Sequence, residues 1–234
     1  MFCQIYPVKT AKEALEVIAA GADSVGIVPV VAGMDALGSE SAEQTIFDIL
    51  HAVKGKAARV VIALSNDPEE VFETAVKFKP DIFHISGTEF RADKAFAKRL
   101  RDAVPGMKIM HAVQVTDFSS VDEAMSLQEV ADILILDTGS DPKVGIGASG
   151  RTHDWNVSKK IVEVSKIPVI LAGGLGPDNV YEAVRKVHPW GVDSMTHTHK
   201  YLPDGSYVKD LDKVRRFCSQ ARQAEIDDEK SANS

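Results

Sequence analysis

A single (β/α)8 TIM barrel, built on a parallel sheet, is the fold class this sequence predicts. Three observations carry that expectation. Short apolar runs and helical segments alternate through eight β/α pairs, no composition break or linker interrupts them, and no GxGxxG follows the first strand as a doubly wound dinucleotide-binding sheet would require. The 234 residues suit one barrel over residues 1–222. Residues 223–234 are polar and without apolar period, so they are expected to form a disordered tail.

Each element follows from local pattern. Residues 2–6 form a first apolar run, and Thr10 with Glu13 three positions later caps a helix over 11–20. A strand at 23–28, a long glycine-containing loop and a helix at 41–53 come next. A third strand occupies 58–64, and Asn66 or Asp67 caps the helix that runs to Phe78. Strands at 81–86, 107–115 and 132–137 then alternate with helices at 89–104, 119–130 and 154–165. The apolar run 168–172 is the seventh strand and stops at Gly173-Gly174. Pro177 and Asp178 open a helix whose Val180, Ala183, Val184 and Val187 recur at helical spacing, Gly191-Val192-Asp193-Ser194 is the eighth strand, and residues 209–221 close the chain as a helix.

Composition narrows the partners. Hydrophobic residues at 44% and charged residues at 26% are ordinary for a globular protein, and a net charge of −7 argues against nucleic acid or an anionic membrane. Every apolar run is shorter than the ~20 residues of a membrane span, and MFCQIYPVK lacks a signal peptide's basic start and apolar centre, so a cytoplasmic protein is expected. Cys3 and Cys218 are too few for a disulfide framework or a thiolate metal site; both read as reduced thiols, with Cys218 in the core of the last helix. No cofactor is expected. The helical faces leave monomer and homodimer equally open.

In this fold the reactive groups sit at the C-terminal ends of strands and in the loops that follow. That rule selects Cys3 and Gln4, His84 and Ser86, His111 and Gln114, Asp137, and Asp193 with Thr196, His197 and His199. Asp137 ends the apolar run ILIL, where an idle carboxylate is costly, although aspartate also serves there as a cap. Cys3 reads either as a small core residue or as a reactive group. Gly173-Gly174 ahead of a helix is a phosphate cradle or a bare tight turn. Histidines two apart on a strand share a face, so His197 and His199 could hold a divalent metal; the other reading is a solvated loop with hydrogen-bonding histidines. Arg151 is an anion contact or a surface salt bridge.

Several stretches together resemble the phosphoribosylanthranilate isomerase family of tryptophan biosynthesis. Met1-Phe2-Cys3-Gln4-Ile5 is similar to that family's K-x-C-G first strand, LILDT to its L-L-D-T, and residues 147–155 to G-G-[ST]-G-x-x-F-D-W. Residues 171–180 match L-[SA]-G-G-L-x-P-x-N-V, and Gly191-Val192-Asp193 matches the G-V-D before its phosphate loop. The resemblance implies an Amadori rearrangement, an aldose–ketose isomerisation of a phosphorylated aminosugar, with Cys3 as general base and Asp137 as general acid. It further implies substrate and phosphate contacts from Gly173, Gly174, Asp193 and Thr196, with Gly150, Arg151 and His84 beside them. The departures are specific: Gln4 replaces a glycine, PVVAGMDALG lacks the arginine that meets the anthranilate carboxylate, His84-Ile85-Ser86-Gly87 stands for Q-x-H-G, and Met195-Thr196-His197 for S-S-G. A smaller phosphosugar is therefore expected to be preferred over phosphoribosylanthranilate. Two other readings remain: an isomerase, epimerase or decarboxylase of another phosphosugar or sugar acid, with metal at His197 and His199, and a non-catalytic phosphometabolite-binding barrel.

Overall fold

Strands of three to seven residues leave little room for error in register, and the side-chain alternation along them sorts this molecule into an inner and an outer core. The computed structural model describes residues 1–29, 40–141, 145–146 and 152–232. Strands β1 (Phe2–Ile5), β2 (Ser24–Ile27), β3 (Ala58–Ala63), β4 (Ile82–Ile85), β5 (Lys108–Gln114), β6 (Ile133–Asp137), β7 (Val169–Leu171) and β8 (Gly191–Ser194) pair in chain order, all parallel, and β8 returns to β1 to close the barrel. Helices α1 (Ala11–Ala19), α2 (Glu40–Val53), α3 (Pro68–Phe78), α4 (Lys94–Ala103), α5 (Ser120–Leu127), α6 (Trp155–Val164), α7 (Val180–Val187) and α8 (Leu211–Ala232) alternate with them.

Inside the barrel, Val60, Ile62, Ile82, Met110, Ile133, Ile135 and Ile170 form a dry plug. Outside it, Ile5, Val25, Ile27, Leu134, Leu136 and Leu171 face the helices and meet Val17, Ile49, Val184 and Phe217. Each such side chain, fully buried, contributes about 1.5–3 kcal/mol, so the two layers dominate stability. The helix starts are capped as their sequences suggest: Thr10 accepts from Glu13 N at 3.1 Å, Asp67 from Glu69 N at 2.8 Å, and Asp154 from Asn156 N at 2.9 Å.

The structure departs from the sequence pattern in three places. Helix α4 begins at Lys94, not 89, because Asn66 Oδ1 accepts the N–H groups of Glu89 (2.8 Å) and Phe90 (3.1 Å), and Asp93 then caps the helix through Phe96 N at 2.7 Å. The expected disordered tail at 223–234 is instead helical as far as Ala232. Its polar residues face partners: Glu225 pairs with the Met1 ammonium, Asp227 accepts from Tyr181 Oη at 3.0 Å, and Asp228 bridges Arg185 and His188 at 3.0 Å each. Finally, two short antiparallel ladders decorate the loops, Ser140–Asp141 with Gly145–Ile146 and His199–Tyr201 with Tyr207–Lys209. Among the described residues no helix is long and apolar enough to cross a membrane.

Candidate active site

Register decides which side chains reach the mouth. Asp137 is paired across β5–β6 with Gln114, and Asp193 across β8–β1 with Gln4, which places both carboxylates on the inner face. One cavity at the C-terminal end of the strands is lined by Asp137, Asp193, His84, Gly173, Gly174 and Thr196, with Tyr6 and His197 beside them. These include six residues expected from sequence. The other described residues of its wall are apolar and include Val28, Ile62, Leu64, Ile135 and Met195.

Cys3 is the correction. Two positions along from Ile5 and one from Gln4, it points to the outer face, where it is fully buried in the layer that also holds Val214, Phe217 and Cys218 of α8. Its N–H donates to Asp23 Oδ2 at 2.8 Å, and the neighbouring Cys218 thiol, with burial, pushes the Cys3 thiol far above the ordinary cysteine range. A thiol so placed neither reaches the mouth nor ionises near neutral pH. The inward residue at the mouth end of the first strand is Tyr6, whose N–H continues the ladder to Ser194 O at 3.1 Å. Its ring lies over Gly26, where a Cβ would come within 2.0 Å of the ring, so only glycine admits it.

Around the two carboxylates the polar groups are ordered. Gln4 Nε2 donates to Asp193 Oδ1 at 3.1 Å, and Ser24 Oγ donates to Gln4 Oε1 at 3.3 Å, which fixes the amide's orientation. Thr138 N donates to Asp137 Oδ1 at 2.7 Å. Burial raises Asp137 to about 7, and burial together with the Asp137 charge raises Asp193 to about 7. Tyr6 Oη and His84 Nδ1 lie 3.2 Å apart, while His84 Nε2 is buried with no partner among the described residues. Burial, then the nearby His111, lowers His84 to about 3, so the imidazole is neutral.

The glycine turn is built for close approach. Gly173 and Gly174 have φ of +80° and +63°, and a Cβ on Gly173 would lie 2.2 Å from Thr138 Oγ1 and 3.2 Å from Asp137 Oδ1. Asn179 shapes the loop, accepting Gly176 N at 2.8 Å and donating to Gly174 O at 3.0 Å. No described group accepts the N–H of Gly173 or Gly174. Behind them Thr138 Oγ1, His153 and Ser158 Oγ form a chain with separations of 2.7 and 2.5 Å.

The loop after β8 is a 3-10 turn, Thr196–Thr198, and not an extension of the strand. His197 is therefore exposed on the cavity side, whereas His199 is buried, with its ring stacked on Tyr207 at 3.8 Å. The two do not share a face, and among the described residues no cluster of three or more His, Cys, Asp or Glu is arranged to hold a metal. Gly150 and Arg151 lie outside the described residues. Lys209, which no sequence pattern marked, reaches under the turn: its buried Nζ donates to Tyr6 O, Met195 O (3.1 Å) and Thr198 Oγ1 (3.2 Å).

Comparison with known proteins bears on the family and the fold. The family model described as N-(5'-phosphoribosyl)anthranilate (PRA) isomerase matches residues 4–220. An N-(5'-phosphoribosyl)anthranilate isomerase of Methanocella arvoryzae is 32% identical over 213 residues, covering 91% of this chain and 94% of the relative. In three dimensions the chain is similar to the Pyrococcus furiosus N-(5'-phosphoribosyl)anthranilate isomerase, with a TM-score of 0.74 at 23% identity over 95% of this chain and 99% of the other. It is also similar, with a TM-score of 0.71 at 20% identity and the same coverage, to a phosphoribosyl anthranilate isomerase solved with reduced 1-(o-carboxyphenylamino)-1-deoxyribulose 5-phosphate. The match over nearly the whole barrel shows that this chain belongs to the N-(5'-phosphoribosyl)anthranilate isomerase family.

Proposed function

We propose that the protein catalyses an Amadori rearrangement of a phosphorylated aminosugar, converting an aminoaldose to an aminoketose with Asp137 as general acid. The carrying observation is one inward carboxyl, Asp137, beside a glycine turn whose N–H groups are open to an anion. With its carboxyl raised to about 7, Asp137 is protonated in a large share of molecules at neutral pH and can deliver that proton to the furanose ring oxygen. The ring C–O bond then breaks as the amine lone pair forms a C1=N bond. Phosphate on the N–H groups of Gly173 and Gly174, near Thr196, anchors the sugar with its ring oxygen toward Asp137.

N-(5'-phosphoribosyl)anthranilate, on which the relatives act by name, is the first substrate to assay. A second reading, an amine without the aromatic carboxylate, is favoured by the apolar wall of Val28, Ile62 and Leu64 and by the absence of any basic residue from the sequence of residues 30–39. Steady-state kinetics with N-(5'-phosphoribosyl)anthranilate and with a phosphoribosylated amine lacking the carboxylate decides between them. Growth of a tryptophan auxotroph lacking the isomerase supports the first. Turnover of neither substrate overturns the isomerase reading.

A further inference from the structure

With the thiol on the far side of the sheet, the isomerisation still needs a base for the C2 proton. Among the described residues lining the cavity, five carry a titratable group: His197 is exposed at the rim, and Tyr6, His84, Asp137 and Asp193 lie deeper in the mouth. Tyr6 is held as the phenol by burial and by the Asp193 charge, and its hydroxyl lies against His84 Nδ1. His84, a buried neutral imidazole, is a weak proton acceptor. The two carboxyls remain, and their surroundings differ. Asp137 receives one backbone N–H, from Thr138. Asp193 receives the Gln4 amide, whose direction Ser24 enforces, and is favoured in its charged form by Lys209, an amine that burial itself lowers to about 7.

Resting on the isomerase reading above, we propose that Asp193 is the catalytic base of this enzyme, taking the C2 proton in the place that the family resemblance gave to a first-strand cysteine. The Asp137 charge opposes one on Asp193, so the two carboxyls do not ionise independently; in the proposed active form Asp137 holds the proton and Asp193, with the Gln4 amide and Lys209 beside it, carries the charge. After ring opening, Asp193 accepts the C2 proton, and the C–H electron pair forms the C1=C2 bond as the C1=N electrons return to nitrogen. The enolamine then gains a proton at C1 and loses the one on the C2 oxygen, so C1 is reduced as C2 is oxidised. No outside oxidant or reductant enters. Because the sheet pairs Gln4 directly with Asp193, base and supporting amide are set by the closing ladder of the barrel itself.

The test uses the full chain and the better of the two substrates above. For Asp193→Asn we expect kcat to fall about 10²-fold or more, with the Kd for reduced 1-(o-carboxyphenylamino)-1-deoxyribulose 5-phosphate or for inorganic phosphate within about threefold, since a general base contributes chiefly to the transition state. The residual activity should lack the acidic limb of the kcat/KM profile. Gln4→Leu, which removes a donor to the carboxylate, should move that limb to higher pH. Cys3→Ala should leave both kcat and the limb in place. Retention of kcat within about fivefold by Asp193→Asn, below the range of general-base contributions, would overturn the assignment. So would loss of the acidic limb in Cys3→Ala, or a Asp193→Asn defect confined to KM. A wild-type protein that turns over neither substrate overturns the isomerase reading and this assignment with it, whereas an active wild type with an active Asp193→Asn variant overturns the assignment alone.

Discussion

Two pairs of titratable side chains are buried in this barrel, and they lie on opposite sides of one sheet. Cys3 and Cys218 share the outer layer between β1 and α8; Asp137 and Asp193 share the inner mouth between β6 and β8. On β1 a single step of register separates them, since Cys3 turns outward and Gln4, its neighbour, turns inward to Asp193. The thiols shift each other, and among the carboxyls burial raises both while the Asp137 charge further raises Asp193. Only the inner pair opens on a cavity, and there burial brings both carboxyls to about 7, where acid and base chemistry at neutral pH is possible. The outer pair has no such access, and its thiols act as packing. A shifted pKa therefore marks function only together with the side of the sheet.

The comparison can be broken most severely at Asp137. Asp137→Asn is expected to lower kcat by about 10²–10⁴-fold, the usual weight of a general acid, and steady-state kinetics with retained phosphate binding checks it. The same variant should be more resistant to heat than wild type at pH 8. A carboxyl whose folded pKa is raised loses stability as pH climbs from its unfolded value near 4 through about 7, and asparagine has no charge to bury. Thermal melts should show the difference shrinking to nothing by about pH 4, where both forms are neutral; a gap that widens toward acid would contradict the raised pKa.

Gly173→Ala sharpens the inner side by a smaller amount. Its backbone at φ +80° and the 2.2 Å approach to Thr138 Oγ1 force the turn to shift, and about tenfold weaker binding of a phosphate ester is expected, close to the loss of one charge-assisted hydrogen bond. Isothermal titration measures it, and unchanged affinity would remove the glycine turn from the site. On the outer side, removing residues 223–232 deletes the partners of Met1, Tyr181, Arg185 and His188, and the melting temperature should fall by about 2–4 °C for each kcal/mol lost. Smallest of all is Cys3→Ser: kcat within about twofold of wild type, because a buried position off the site costs stability of about 1 kcal/mol, not chemistry.

The alternation of β and α was legible because short strand-like runs and helical segments repeat eight times, and the Gly-Gly turn, Asp137 and Asp193 were legible because each lies at or just past the end of a strand of that pattern. Cys3 was misplaced for a physical reason. Phe2–Ile5 is only four residues long, with polar Gln4 buried at 0% exposure and therefore no visible alternation, so a motif of letters fixed the residue type without fixing the face. The end of α8 looked like tail because its side of the helix is held by Glu225, Asp227 and Asp228 in place of apolar residues. His197 and His199 looked paired because a strand was expected where the chain takes a 3-10 turn. Lys209 carried no local signal, since its partners Tyr6 and Met195 are distant in sequence or across the turn.

Closure of the barrel between its first and last strands has a consequence in time. β1 leaves a ribosome ahead of nearly all the rest of the barrel, yet one of its two neighbours, β8, is made last of the eight strands. Until β8 arrives, Gln4 has no carboxylate to hold, and the Met1 ammonium waits longer still for Glu225. The acidic half of the site on β6 can be in place while the half on β8 does not yet exist. On the roles proposed above, synthesis assembles the proton donor well before its acceptor, and a barrel lacking its last strand is expected to be chemically silent however much of its helical shell has formed.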